Sequence, residues 1–298
     1  ADPAILNALF ISELAQKNGI KVLLSGAGGD DIFTGYRRHL ALSLEKYWAW
    51  LPQSARGLIS KSVDSLSTSN STHRRIRKLF QYASLSGDER IISYFYWLDP
   101  SNAINLLSPD VRHEVDVSQI SAPFSSALKQ CPDDVPDINK MLDLEMRFFL
   151  GDHNLNYTDK MSMACGVEAR VPFLDRDLIK LASELPLKYK QRGKIGKWVL
   201  KEAMRGILPG NIIDRPKTGF GVPLRSWMQG GLKERIQDLI MGNTIKDRGV
   251  FDYEMARKLL QDTQSGKVDG TYSLLGILCQ ELWCQQFIDK PMPTKVHL

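Results

Sequence analysis

Apolar residues near the start of the chain recur at helical spacing. Between residues 3 and 17 they fall on one face of a helix, and Gly19 then ends the pattern. An apolar run over residues 20–24 follows and stops at Ser25, which is typical of a buried strand. A helix, a glycine and a buried strand in this order form a unit from which parallel sheets covered by helices are built. The pattern therefore predicts an α/β fold.

The rest of the pattern is mainly helical. Residues from about 40 to 150 show helical spacing interrupted by turn-forming stretches, and residues 138–150 are their most apolar part. Further helices are expected at residues 178–185, 193–201 and 272–287. We therefore predict a partial parallel sheet flanked by helices, in a chain that is predominantly helical.

Composition narrows the class of protein. The 298 residues are 43% hydrophobic and 24% charged, as in ordinary globular proteins, and the net charge of +5 suits anionic substrates. The densest basic run, residues 73–78, carries apolar residues at helical spacing instead of interleaved aromatic residues. It therefore indicates a solvated helix face, and no nucleic-acid partner is predicted.

The cysteines and the apolar runs indicate in which cellular compartment the protein is expected. The four cysteines lack the spacing of a zinc site or a disulfide framework, so a reducing cytoplasm is expected. Two of them, Cys279 and Cys284, are expected to pack inside the last helix. No apolar run reaches membrane-spanning length and no signal peptide is recognisable, so no membrane partner is predicted.

A glycine-rich turn directly follows the predicted strand. Its members are Ser25, Gly26, Gly28 and Gly29. Glycines let backbone N–H groups approach an anion, and the start of a helix adds partial positive charge. The next two residues, Asp30 and Asp31, fit such an anion cradle if Mg²⁺ bridges them to phosphate oxygens. The alternative interpretation is a tight turn in which one aspartate caps the helix.

Two basic segments carry further candidates. Lys194 and Lys197 are predicted in the first turn of a helix, where cations are unfavourable unless an anionic partner is near. Arg215 and Lys217 lie in a Gly/Pro-rich loop over residues 215–223, which could clamp a phosphate. Both segments therefore favour an anionic ligand.

Residues 151–175 combine polar and small residues with isolated charges. Glu168 and Arg170 are expected to form a structural ion pair that organises a loop. His153 is a candidate base by residue type alone.

Three segments in this order resemble the C-terminal synthetase domain of the asparagine synthase (glutamine-hydrolysing) family. They are residues 24–36 (Leu-Ser-Gly-Ala-Gly-Gly-Asp-Asp-Ile-Phe-Thr-Gly-Tyr), 159–175 (Asp-Lys-Met-Ser-Met-Ala-Cys-Gly-Val-Glu-Ala-Arg-Val-Pro-Phe-Leu-Asp) and 215–223 (Arg-Pro-Lys-Thr-Gly-Phe-Gly-Val-Pro). The resemblance covers nearly the whole chain outside the helical middle. It implies one synthetase domain over residues 1–298, of the ATP-pyrophosphatase type with an adenine-nucleotide α-hydrolase-like fold.

The resemblance also implies a reaction. Such enzymes adenylylate a carboxylate, aspartate in the family, with ATP and Mg²⁺, and glutamine-derived ammonia then converts the acyl-adenylate into an amide. The implied partners are a small-molecule carboxylate, ATP and a glutaminase domain of the same parent chain, and a homodimer is compatible with it. No histidine is assigned to this chemistry, which argues against His153 as a base.

Site residues follow from the same resemblance. Lys217 and Asp30 are the implied catalytic residues, and Asp30 is also the implied metal ligand. The implied nucleotide-binding residues are Ser25, Gly26, Gly28 and Gly29. The implied substrate- or pyrophosphate-binding residues are Asp31, Lys194, Lys197 and Arg215.

Departures from the family pattern leave the reaction open. The chain begins Ala-Asp-Pro and lacks the family's Ser-Gly-Gly-x-Asp-Ser loop and its glutaminase domain, so we expect a fragment that does not turn over ATP alone. Ala27 stands where asparagine synthetases generally carry an acidic residue. Another acceptor, such as a sugar acid in surface polysaccharide biosynthesis, is therefore an alternative to aspartate. A non-catalytic domain that binds a nucleotide or a partner is an alternative of another class.

Overall fold

A computed structural model describes residues 2–64, 66 and 70–290, and this part of the chain is mainly helical with two small sheets. The strands are β1 (Val22–Leu24), β2 (Glu168–Arg170), β3 (Gln191–Arg192) and β4 (Ile195–Gly196). The helices of the first half are α1 (Ala4–Lys17), α2 (Gly29–Ile32), α3 (Arg37–Leu44), α4 (Gln53–Asp64), α5 (Ser71–Phe80), α6 (Gly87–Ser93), α7 (Pro100–Asn105), α8 (Pro109–Glu114), α9 (Ser118–Leu128), α10 (Asp137–Leu144) and α11 (Asn156–Ala164). Those of the second half are α12 (Arg176–Glu184), α13 (Leu187–Lys190), α14 (Trp198–Ala203), α15 (Gly210–Ile213), α16 (Leu224–Gln229), α17 (Lys233–Met241), α18 (Asn243–Arg248), α19 (Tyr253–Gln264) and α20 (Thr271–Phe287).

The first helix and strand form where the pattern predicts, but the strand is not buried as expected, because Val22 and Leu24 are exposed. Helix α1 is followed by Gly19 at φ +71°, a conformation that glycine adopts without strain, and β1 begins three residues later. β1 pairs in parallel with β2, with Val22 opposite Glu168. The chain therefore contains the predicted small parallel sheet with helices packed on it.

Hydrophobic clusters formed mainly by helices hold the described residues together. Buried side chains of α3, α6, α9 and α10 form one core, and those of α17, α18, α19 and α20 form another. A smaller core joins α1 to the segment between α11 and β2 through Ala15, Cys165 and Val167. Among the described residues, no β-strand interrupts the helices between β1 and β2.

Several local predictions need correction. The α-helix expected through residue 150 ends at Leu144, and the backbone from there forms a π-helix, Glu145–Leu155. The ion-paired residues expected in a loop lie on strand β2, because their backbone pairs with β1. Cys284 is buried in α20 as expected, whereas Cys279 is exposed because it lies on the outer side of the helix.

The predicted helix start at residue 193 is also wrong. Residues 191–196 form the β3–β4 hairpin, whose turn holds Gly193 at φ +59° and Lys194. Helix α14 begins only at Trp198, and Lys197 precedes it with φ +54°. The Lys197 N–H donates to the Phe33 carbonyl (2.8 Å), which ties this hairpin to the segment after α2.

No described helix has the length and apolar composition that a membrane-spanning segment requires.

We predict that Gly28→Ala destabilises the protein. Gly28 has φ +89°, and an added Cβ would lie 2.4 Å from Leu174 Cδ2, so the variant suffers both backbone strain and a side-chain clash. We expect a loss of about 1–3 kcal/mol in unfolding free energy, measured by denaturant titration. Gly26→Ala is the matched control, because a Cβ there meets nothing within 4 Å. An equal loss in both variants would contradict this explanation.

Candidate active site

The glycine-rich turn lies at the carboxyl end of β1 and is supported by the second motif. The Ser25 N–H donates to the Arg170 carbonyl (2.7 Å), and the Ala27 N–H donates to Ser25 Oγ (3.2 Å). Cβ atoms added at Gly28 and Gly29 would point at Leu174 and Phe173 respectively, whereas Gly26 borders open space. The Cβ sides of Gly28 and Gly29 thus face protein, and Gly26 is the predicted nucleotide-binding glycine whose Cβ side is open.

Asp30 joins residues from three distant parts of the sequence. Lys197 Nζ lies 2.5 Å from Asp30 Oδ1, and Lys217 Nζ contacts Asp30 Oδ2. Burial alone would raise the pKa of Asp30, but the hydrogen bonds and positive charges of the two lysines outweigh it and hold the pKa below its ordinary value. Asp30 is therefore an ionised carboxylate between two ammonium groups.

The backbone behind Asp30 is tightly fitted. A Cβ added at Gly35 would lie 1.9 Å from Asp30 Oδ1, and one added at Gly196 would lie 2.3 Å from the Thr34 carbonyl oxygen. Thr34 is buried with φ +58°, a conformation that a β-branched residue rarely adopts. Strained backbone of this kind persists where surrounding contacts enforce it, and it is concentrated at functional sites.

A cleft of about 440 Å³ opens beside the Asp30 cluster. Its lining includes six basic residues: Arg37, Lys194, Lys197, Lys201, Arg215 and Lys217. Asp214 is the acidic residue of the lining, and Leu200, Met204 and Ile213 contribute apolar surface. The structure thus brings the four basic residues expected from the sequence into one cleft and adds Arg37 and Lys201. A concentration of positive charge on a concave surface favours a ligand with several negative charges.

Asp31 lies apart from this cleft. Its side chain is almost fully buried, and the Tyr36 hydroxyl donates to Asp31 Oδ2 (3.3 Å). Its other oxygen has no hydrogen-bond partner among the described residues. Burial and the negative charge of Glu145 raise the pKa of Asp31 to about 6. The structure therefore places Asp31 beneath the site, facing Tyr36, and not among the residues that line the cleft.

A buried ion-pair network supports Tyr36. Glu145 is fully buried; Arg38 Nε contacts its Oε1, and His39 Nε2 lies 2.8 Å from the same oxygen. The Arg38 guanidinium lies 4.6 Å from the centroid of the Tyr36 ring, and Lys217 Nζ lies 5.4 Å from that centroid. The sequence pattern does not predict this network, although Arg38 and His39 lie within three residues of the first motif.

The remaining predictions concern the Glu168–Arg170 ion pair and His153. Arg170 Nε lies 2.8 Å from Glu168 Oε1, so the expected ion pair is present, with both side chains exposed. His153 lies outside the lining of the basic cleft and contacts Asp2 Oδ2 at 2.7 Å.

The predicted metal ligand is the single carboxylate of Asp30. Among the described residues, no group of three or more His, Cys, Asp or Glu side chains could hold a metal ion. Mg²⁺ commonly uses one or two protein carboxylates together with phosphate oxygens of the substrate, and Asp30 fits that use.

The fold and site define a class of protein, and comparison with known proteins defines the family. A helix-rich α/β chain with a carboxylate–lysine cluster beside a basic cleft suits an anionic ligand. The chain belongs to the asparagine synthase family, because the family model, described as asparagine synthase, matches residues 1–285.

Individual relatives agree with the family assignment. The chain is 27% identical over 293 residues to asparagine synthetase (glutamine-hydrolyzing) 1 of Bacillus subtilis (strain 168), covering 97% of this chain and 44% of that protein. It is 40% identical over 99 residues to asparagine synthetase (glutamine-hydrolyzing) 1 of Arabidopsis thaliana, covering 28% of this chain and 17% of that protein. It is 23% identical over 285 residues to amidase chyE of Penicillium rubens, covering 86% of this chain and 40% of that protein. The chain spans less than half the length of these curated relatives.

We predict opposite pH effects for the two adjacent aspartates. Asp31 has an ordinary pKa of 3.8 when unfolded and about 6 when folded, so the folded state binds more protons between these values and loses stability as the pH rises through them. Asp31→Asn removes this loss. Relative to wild type, the variant should gain up to about 3 kcal/mol in unfolding free energy between about pH 4 and about pH 7.

Asp30→Asn is the control with the opposite sign. The pKa of Asp30 is lowered on folding, so its stabilising contribution is present at neutral pH and disappears as the pH falls below 3.8. This variant should be less stable than wild type at neutral pH, and the difference should shrink in acid. Denaturant titrations at several pH values measure both effects, and the same pH dependence in the two variants would refute the assignment.

Proposed function

We propose that this chain is the synthetase part of an ATP-dependent ligase that converts a carboxylate into an amide. The observation that carries the proposal is the meeting of Asp30, Lys197 and Lys217 at the basic cleft. The family assignment supports the same conclusion, since relatives in the family include glutamine-hydrolyzing asparagine synthetases. In this proposal residues 1–298 form one synthetase domain.

The basic cleft suits the leaving group of adenylylation. A carboxylate oxygen of the acceptor attacks the α-phosphorus of ATP, the bond from that phosphorus to the bridging oxygen breaks, and pyrophosphate leaves with the bonding electrons. Negative charge thus grows on the pyrophosphate, and preorganised cations lower the energy of that transition state. Lys194, Arg215 and Lys217 line the cleft where this charge would be held.

The second half-reaction forms the amide. Ammonia attacks the acyl carbon, AMP leaves with the oxygen that joined it to the acyl group, and the attacking nitrogen gives up a proton. Water must be kept away from the acyl-adenylate until ammonia arrives, because hydrolysis would return the acyl-adenylate to the free carboxylate.

Mg²⁺, when bound, would neutralise charge on the triphosphate. In this proposal Asp30 would hold the ion together with phosphate oxygens, because it is an ionised carboxylate at the cleft. Since both oxygens of Asp30 contact lysines, at least one lysine would then turn toward a phosphate group.

A larger parallel sheet of the adenine-nucleotide α-hydrolase type is part of the proposal. Among the described residues, β1 pairs on one edge only, with β2. Its side chains Val22 and Leu24 are 39% and 75% exposed, and apolar residues of the neighbouring helix α1 are exposed too (Phe10, Ile11 and Leu14). An exposed apolar face beside an unpaired strand edge favours an additional strand, together with a further element that packs on the apolar face. We propose that another segment of the parent protein supplies these and the second phosphate loop, and that a glutaminase domain supplies ammonia.

The acceptor has two candidate classes. Two relatives are named asparagine synthetases, which favours aspartate as the acceptor. Ala27 favours another carboxylate, such as a sugar acid, because a methyl group can neither accept a proton nor bind ammonium at that position in the turn. A non-catalytic binding domain is the alternative of another class, and the retained cluster of Asp30 with two lysines argues against it.

We predict that Lys217→Ala strongly slows carboxylate-dependent ATP–pyrophosphate exchange by the parent protein. The substitution removes a cation at the leaving group, and loss of such a group costs about two to three orders of magnitude in rate. Lys233→Ala, an exposed lysine of α17 outside the cleft, is the control and should retain full exchange. Exchange that is unchanged in the Lys217 variant would overturn the proposal. The isolated 298-residue chain should show no exchange at all.

A further inference from the structure

A second cavity, of about 500 Å³, lies at the start of helix α1. Its lining is Asp2, Ile5, Trp97, Phe149, Asp152, His153, Asn156, Tyr157 and Lys160. Leu9 of α1 and Leu23 of β1 pack against the same small core, so α1 runs back alongside β1 and its first turn lies near the carboxyl end of that strand. Ligands of α/β sheets bind at that edge. The cavity therefore lies on the side of the sheet where a ligand is expected.

One wall of the cavity is a row of aromatic rings on a helical surface. Phe149, His153 and Tyr157 follow one another at intervals of four residues, from the π-helix into α11. The ring centroids of His153 lie 5.6 Å from Phe149 and 5.3 Å from Tyr157. Trp97 closes the row from another segment, nearly perpendicular to the His153 ring at 5.6 Å. π-helical turns are rare and occur frequently at functional sites.

A row of polar side chains runs beside the aromatic row. Asp152, Asn156 and Lys160 also follow at intervals of four residues, and all three are exposed to solvent. His153 is held in place by Asp2, whose Oδ2 lies 2.7 Å from its Nε2 and whose Oδ1 accepts a hydrogen bond from the Ala4 N–H (2.9 Å). The cavity thus offers flat apolar faces next to carboxylate, amide and ammonium groups.

The cavity adjoins the basic cleft across a single aromatic contact. Tyr36 lines the cleft and Phe149 lines the cavity, and their ring centroids are 5.5 Å apart in an edge-to-face arrangement. In phosphoryl-type transfer the attacking and leaving groups lie roughly in line on opposite sides of phosphorus. With pyrophosphate in the cleft, the attacking carboxylate is expected on the far side of the α-phosphorus, and the adjoining cavity offers room for it.

We propose that this cavity binds the acceptor and that the acceptor is a ring-bearing, hydroxyl-rich carboxylate of the sugar-acid type. The aromatic row would cover the apolar face of the ring, while Asp152 and Asn156 accept hydrogen bonds from its hydroxyl groups. Aspartate has no ring to occupy such a row. This inference rests on the proposed function, because it gives the cavity the acceptor of the same reaction.

Direct binding to the parent protein tests the inference without ATP. Glucuronate and galacturonate serve as probes, aspartate and adenosine as competitors, and ligand-observed NMR gives the dissociation constants. We expect at least one of the two sugar acids to bind, and Asp152→Ala and Tyr157→Ala each to weaken that binding about tenfold, through loss of a charged hydrogen bond or of ring contact. Asp110→Ala is the control, because this exposed aspartate of α8 lies outside both cavities.

Each other outcome overturns the inference. If adenosine binding, and not sugar-acid binding, falls in the two cavity variants, the ring held there is the nucleobase. If aspartate binding falls instead, the cavity takes the amino acid. If neither sugar acid binds, or if all variants bind alike, the cavity is not an acceptor site. Because ATP–pyrophosphate exchange is measured separately, failure of the proposed function and failure of this inference are distinguishable.

Discussion

The ion-paired cluster at Asp30 is the interaction on which the candidate site depends. One carboxylate is held between Lys197 and Lys217, residues that lie far from it and from each other in sequence. Because the two lysines also line the basic cleft, the cluster fixes the cations at the position where a polyanion would bind. The carboxylate is mostly buried, so its pairing is less screened by solvent than a surface ion pair.

The surrounding backbone is shaped to bring these three side chains together. Gly35 leaves room for the Asp30 carboxylate, and Gly196 leaves room for the Thr34 carbonyl. Thr34 and Lys197 both have positive φ values, and the Lys197 N–H donates to Phe33. Such conformations are unfavourable in isolation, so the packed segments on either side must enforce them. The result is a site in which both lysines are held beside the cleft before a ligand binds.

The sequence predicted the elements with strong local signals. The helix before Gly19, the strand that follows and four of the six basic residues of the cleft were recognisable from periodicity, glycine positions and motif resemblance. The parallel partner of that strand was not, since Glu168 and Arg170 are polar and their pairing with residues 22–24 is a long-range contact. The β3–β4 hairpin was missed because its strands are only two residues long.

Buried polar residues were equally hard to predict. Nothing in the local sequence distinguishes Asp31, which is buried, from Asp30, which pairs with two lysines that line the cleft. The direction of each side chain is set by tertiary contacts, with Tyr36 in one case and the two lysines in the other. The aromatic row of the second cavity has a spacing of four residues that is visible in the sequence, but Trp97 and Asp2 join it only in the fold.

A crystal structure of the parent protein with an ATP analogue that resists cleavage between the α- and β-phosphates is the most direct test of the central claim. We predict that the β- and γ-phosphates lie in the basic cleft, with oxygens within hydrogen-bond distance of Lys217 Nζ and the Arg215 guanidinium. A triphosphate bound elsewhere, with both lysines still paired to Asp30 and the cleft empty, would contradict it.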